Sequence, residues 1–123
     1  MSDRIWLVVP RERSYRGVAH LVLGGLALRQ NCTLEALEDL QVALDEVLGR
    51  GRGSGAVTLE LRVFDGSLEA RVGPFEGSVR TALEPGGEYE LGLRRVLDST
   101  VDEVEVETRE DGDWVRFRKA LAA

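Results

Sequence analysis

EALEDLQVALDEVLGR (residues 35–50) and ELGLRRVLDSTVDEVEVE (residues 90–107) decide how this chain is read. In the first, Leu37, Leu40, Leu44 and Val47 recur at the three-to-four-residue spacing of one helix face. Thr33 stands ahead of it as an N-cap, and Glu35 in the first turn suits the positive end of the helix dipole. The run GRGRGSG (residues 49–55) ends the helix, because so many glycines favour chain freedom over a continued turn. The second stretch predicts a short helix near residues 90–98 and then a strand, VDEVEVET (residues 101–108).

Outward from these, RIWLVV (residues 4–9) reads as a strand ended by Pro10. RERSYRGVAHLVLGGLALRQN (residues 11–31) reads as a helix with Tyr15, Val18, Ala19, Val22 and Leu26 on one face and Ser14 as its cap. Gly24-Gly25 weakens it, and is expected either to admit a close neighbour or to kink the helix. VTLELRV (residues 57–63) and LEARV (residues 68–72) alternate apolar and polar residues around Asp65-Gly66, a strong hairpin signal. Residues 73–88 lack a period and read as a loop, with one helical turn around residues 79–83. The turn REDGD and the strand WVRFRKA (residues 114–120) follow. The order β-α-α-β-β-loop-α-β-β predicts an α+β fold. It is a two-layer α/β sandwich, with helices on one face of a mixed, mostly antiparallel sheet, in a single domain spanning residues 1–123.

Composition narrows the function. A chain of 123 residues with 43% hydrophobic content supports one core. VAHLVLGGLAL (residues 18–28) is too short to span a bilayer, so the expectation is a soluble, cytoplasmic protein with no membrane partner. The net charge of −6 argues against non-specific nucleic-acid binding, which rests on neutralising phosphates. Cys32 and His20 stand alone among cysteines and histidines, too few for a zinc site, and Cys32 reads as a small structural residue rather than a redox thiol. Asp102, Glu103, Glu105 and Glu107 form a carboxylate run, but strand alternation makes the three glutamates one solvated face rather than a metal site. GRGRGSG is not a P-loop: it follows a helix and lacks the Lys-Ser/Thr ending.

The two quoted segments, in this order, resemble the anti-sigma-factor serine kinases of the GHKL (histidine-kinase-like) ATPase superfamily. That resemblance implies an ATP pocket between helices and sheet, built by three motifs. The first is a helix carrying a general-base Glu and, one turn later, an Asn for Mg²⁺. Glu46 matches the base, although it also reads as one more solvated acid beside Glu35, Glu38, Asp39 and Asp45; the Asn position holds Arg50, a cation that cannot ligate a metal. The second is an Asp that recognises adenine, followed by Gly-x-Gly. Here Gly73-Pro74-Phe75 resembles the glycine part, while Arg71 and Val72 stand where the acid belongs. The third is a glycine at the entry to a helix that receives phosphates, matched by Gly92 and Leu93, with Glu84, Glu88 and Glu90 nearby opposing an anion.

The resemblance therefore implies a regulatory protein-binding module with lost or weakened ATP and Mg²⁺ binding, acting in transcription control. Its expected partner is a sigma factor or a STAS-type anti-anti-sigma protein. Such proteins commonly pair, so a homodimer is expected, with Leu21 and Leu23 on the free face of the first helix. Two alternatives stand beside it: an active ATP-dependent protein serine kinase using Glu46, and an adaptor subunit that reuses the scaffold. No metal is expected, and ATP with Mg²⁺ only if the altered pocket still functions.

Overall fold

In the computed structural model the described residues are 3–50, 55–75 and 90–122. Strand β1 (Asp3–Pro10) leads through a short 3₁₀ turn (Arg13–Tyr15) into helix α1 (Arg16–Arg29) and helix α2 (Leu34–Leu48). Strands β2 (Ala56–Phe64) and β3 (Ser67–Phe75) form a hairpin; a kinked turn at Glu90–Arg94, helix α3 (Arg95–Thr100), β4 (Glu103–Arg109) and β5 (Gly112–Ala120) complete the chain. The strand order is β1-β2-β3-β5-β4 and every pairing is antiparallel, the limiting case of the mostly antiparallel sheet expected.

The alternation read from β2 holds residue for residue. Val57, Leu59, Leu61 and Val63 are buried against the helices, as are Leu68, Ala70 and Val72 of β3. The β2–β3 connection is a two-residue turn with positive φ at both Asp65 and Gly66, whose twist matches that of the strands. From the helical layer, Leu40, Leu44, Val47, Leu23, Leu26 and Leu97 close the core. Thr33 caps α2 as its position predicts: the Ala36 N–H donates to Thr33 Oγ1 at 3.1 Å.

Helix α1 departs from its sequence reading. Ser14 does not cap it; the helix starts at Arg16, after the 3₁₀ turn, with no side-chain cap bond. Its buried face is Ala19, Leu23, Leu26 and Ala27, while Tyr15 and Val18 are exposed. Leu23, expected on the free face, is core, and Leu21 and Leu28 are the exposed leucines. Apolar residues nearly encircle this segment, so periodicity selects no unique face and packing on α2 and the sheet decides. Gly24 and Gly25 neither seat a close neighbour nor break the helix: a Cβ on either would meet nothing within 4 Å, and α1 is continuous.

Two further differences lie in the strands. Gly73, Pro74 and Phe75 belong to β3 rather than to a loop, with the register against β5 shifting between Val72 and Phe75. The outer face of the sheet is not simply solvated. Glu69, expected to face water, is 5% exposed and sits in a lattice of ion pairs with Arg71 and Arg116. The turn expected over residues 79–83 and the carboxylates of Glu84, Glu88 and Glu90 lie outside the described residues and side chains.

Candidate functional site

The candidate site is the junction between the C-terminus of α2 and the turn that enters α3. Glu46 and Arg50 come from the end of α2, one helical turn apart. Glu46 is half-buried, and no hydrogen bond or ion pair holds its carboxylate among the described residues. Gly49 caps the helix, and the Arg50 N–H donates back to the Val47 carbonyl at 3.1 Å, so the chain stays compact just past the helix end.

Gly92 breaks the backbone of the Glu90–Arg94 turn, with φ −98° and ψ −121°. The Arg50 guanidinium lies directly against it: a Cβ built on Gly92 would be 2.9 Å from Arg50 Nη2. The fold thus brings together two residues 42 positions apart that the sequence reading placed in one pocket. Arg50 has no carboxylate partner among the described residues. Arg16 adds a second cation nearby: its Nη2 lies 3.6 Å from a Cβ built on Gly49, and its buried Nε has no acceptor. Leu93, next to Gly92, is fully buried and serves the core.

The remaining candidates lie elsewhere. Gly73 backs onto the ring of Trp114, which stands 2.6 Å from where a Cβ would be, so this glycine admits an indole. Val72 is completely buried among the core side chains of the helical face. Arg71 points to the other face, where its Nε donates to Glu107 at 3.0 Å. Neither supplies a carboxylate to the helical side of the sheet.

A hexacoordinate Mg²⁺ requires oxygen ligands. Arg50, the side chain seated at Gly92, offers only N–H donors and a positive charge, so it cannot serve as a metal ligand there. Among the described residues no three His, Cys, Asp or Glu side chains gather in one place. Cys32 donates its S–H to the Thr33 carbonyl at 3.3 Å, and burial raises its thiol pKa.

Sequence reasoning missed two features here. Arg16 gave no signal, because its approach to Gly49 depends on how α1 lies along α2. The same packing pairs His20 Nε2 with Asp45 Oδ1 at 2.8 Å across the two helices.

No family model matches the chain. Curated proteins do: the chain is 32% identical over 101 residues to the serine-protein kinase RsbW of Listeria innocua, covering 75% of this chain and 64% of that protein. This relative bears the name of a serine-protein kinase. The RsbW proteins of Bacillus velezensis and Bacillus subtilis are 29% and 28% identical, over 97% and 98% of this chain and 86% and 87% of their own lengths. The match to the Listeria RsbW thus spans just under two thirds of its length. The Bacillus velezensis alignment runs over 143 positions, more than the 123 residues here, so RsbW carries segments with no counterpart in this chain. The similarity supports the anti-sigma kinase-like resemblance read from the two quoted segments. Among the described residues, no helix is long and apolar enough to cross a membrane.

Proposed function

We propose that this chain is a regulatory protein-binding module of the anti-sigma kinase-like type, in which Mg²⁺-dependent ATP binding is lost or strongly weakened. The observation that carries the reading is the Arg50 guanidinium against Gly92. In the resemblance, Arg50 stands where an Asn would hold Mg²⁺, and Gly92 stands at the helix entry that would receive phosphates. A tethered cation there repels Mg²⁺ and fills the volume. Val72, sealed in the core, adds the second loss, because it replaces a carboxylate that would accept a hydrogen bond from adenine. Such a missing charged partner costs roughly 1.5–3 kcal/mol, or about 10- to 150-fold in affinity.

What the scaffold retains is surface. Its partner in this reading is a sigma factor or a STAS-type anti-anti-sigma protein, and its setting is transcription control by partner switching. Pairing of two copies through α1, whose Leu21 and Leu28 are 78% and 84% exposed, fits the same reading.

Glu46 and the name of the relatives favour a second reading, an ATP-dependent protein serine kinase. Glu46 is half-buried, one turn before Arg50, and holds no partner among the described residues, so its carboxylate is free to accept a proton. Calorimetric titration with ATP, with and without Mg²⁺, separates the two readings. No heat at millimolar ATP is expected. Mg²⁺-dependent binding at micromolar affinity would sink the first reading, and loss of phosphoryl transfer in E46Q would then support the second. Sedimentation of the same samples tests pairing, and a monomer at every concentration would remove it.

A further inference from the structure

The outer face of the sheet, opposite the helices, carries a lattice in which nearly every charge is matched. Arg71 Nε donates to Glu107 at 3.0 Å and its Nη1 donates to Glu69. Arg109 Nη1 donates to Glu60 at 2.9 Å. Arg116 bridges Glu105 at 2.8 Å and Glu69 at 3.2 Å, and Arg118 pairs with Glu103 at 3.1 Å. These contacts occupy all five glutamates of the face.

Two arginines are left over. Arg4 of β1 and Arg62 of β2 are direct cross-strand partners, and neither meets a carboxylate among the described residues. Like charges held opposite one another on a sheet oppose folding. Arg62 is also constrained: its guanidinium stacks 4.5 Å from the Phe64 centroid, and its buried Nε has no acceptor. Both arginines line an open cleft of about 360 Å³ whose walls hold four arginines against two glutamates. In a chain of net charge −6, this cleft is locally positive. Beside it Trp6, with Arg4 over its ring, and Val8 are 59% and 63% exposed on β1, an edge strand of the sheet.

We propose that this cleft and the β1 edge form a docking site for an extended acidic segment of a protein partner. The unpaired guanidiniums select a carboxylate, which Arg4 and Arg62 bind together through charge-assisted hydrogen bonds. The free edge of β1 offers backbone hydrogen bonds to a strand laid beside it. Strand geometry then sets the spacing, with an apolar side chain two residues from the acid to cover Trp6 and Val8. The site stands on the opposite face from the Arg50–Gly92 junction and does not depend on whether nucleotide binds there.

The test uses the full chain, isotopically labelled, and a soluble peptide of alternating glutamate and valine. Amide shift mapping is expected to place the peptide on β1 and β2 around Arg4, Trp6, Glu60 and Arg62. Affinity should fall about tenfold or more in the R4Q/R62Q double variant, the scale of one lost charged partner. A peptide with lysine in place of glutamate should not bind. No binding by the wild-type chain, shifts centred elsewhere, or unchanged affinity in R4Q/R62Q would each overturn the proposal. So would displacement by inorganic phosphate at equal concentration, which would mark a small-anion site. The wild-type map decides the matter even if the double variant folds poorly.

Discussion

At the scale of single residues, identity alone tells little about role. Gly73 and Gly92 both matched glycine motifs, yet one admits the Trp114 ring and the other faces the Arg50 guanidinium. The neighbours differ in kind, and so do the consequences. A buried indole has little room to withdraw, whereas the far end of an arginine can swing aside. Gly112 is the most demanding position. Its φ of +138° is one that side chains avoid, and a Cβ there would lie 2.8 Å from the Phe75 carbonyl oxygen. Gly112→Ala is expected to cost about 1–3 kcal/mol, read as a lowered urea midpoint with unchanged slope. A midpoint equal to that of the parent protein would show that the β4–β5 turn relaxes freely.

At the scale of elements, α2 and α1 make opposite cases. Helix α2 has acids on one side and leucines on the other, so its stripe and its cap were both legible. Helix α1 is apolar on most sides, and its orientation had to come from its neighbours. That is why Leu23 is core while Leu21, expected on the same free face, stays exposed. The glycine pair in α1 follows the same logic. Nothing packs on Gly24 or Gly25, so each carries the entropic cost of glycine in a helix without a compensating contact. Gly24→Ala and Gly25→Ala should each raise stability by about 0.5–1 kcal/mol, checked by denaturant unfolding of the two single variants. Destabilisation by either would mean that a surface not present in the isolated chain rests on α1.

At the scale of the whole molecule, one layer is held by apolar packing and the opposite sheet face by charge. The hydrogen bond from Arg116, and then its charge, hold the Glu105 carboxyl below the ordinary carboxylate range. A group whose pKa falls on folding contributes stability above its unfolded pKa and loses it as pH falls through the folded one. Glu105 is itself 56% exposed, so solvent screening reduces its share to a few tenths of a kcal/mol. Glu105→Gln should therefore be slightly less stable than the parent near neutral pH, and the difference should vanish in acid once the pH has fallen below the lowered pKa of Glu105. A difference that persisted in acid would assign the effect to packing rather than to charge.

The sequence by itself determined the local grammar of this protein. Thr33 as a cap, Asp65-Gly66 as a hairpin and the inward set of β2 follow from short-range spacing, which packing rarely overrules. It also placed Glu46, Arg50 and Gly92 in one candidate pocket, through resemblance rather than through any residue's own chemistry. Only the tertiary structure decided which face of α1 is core, that Arg50 rests on Gly92, and that Arg16 approaches Gly49. It alone showed that the glutamates of β4 answer arginines on β3 and β5 while Arg4 and Arg62 meet no carboxylate among the described residues. Each of these depends on residues far apart in the chain, whose meeting is set by strand order and helix packing and leaves no periodic trace in the sequence.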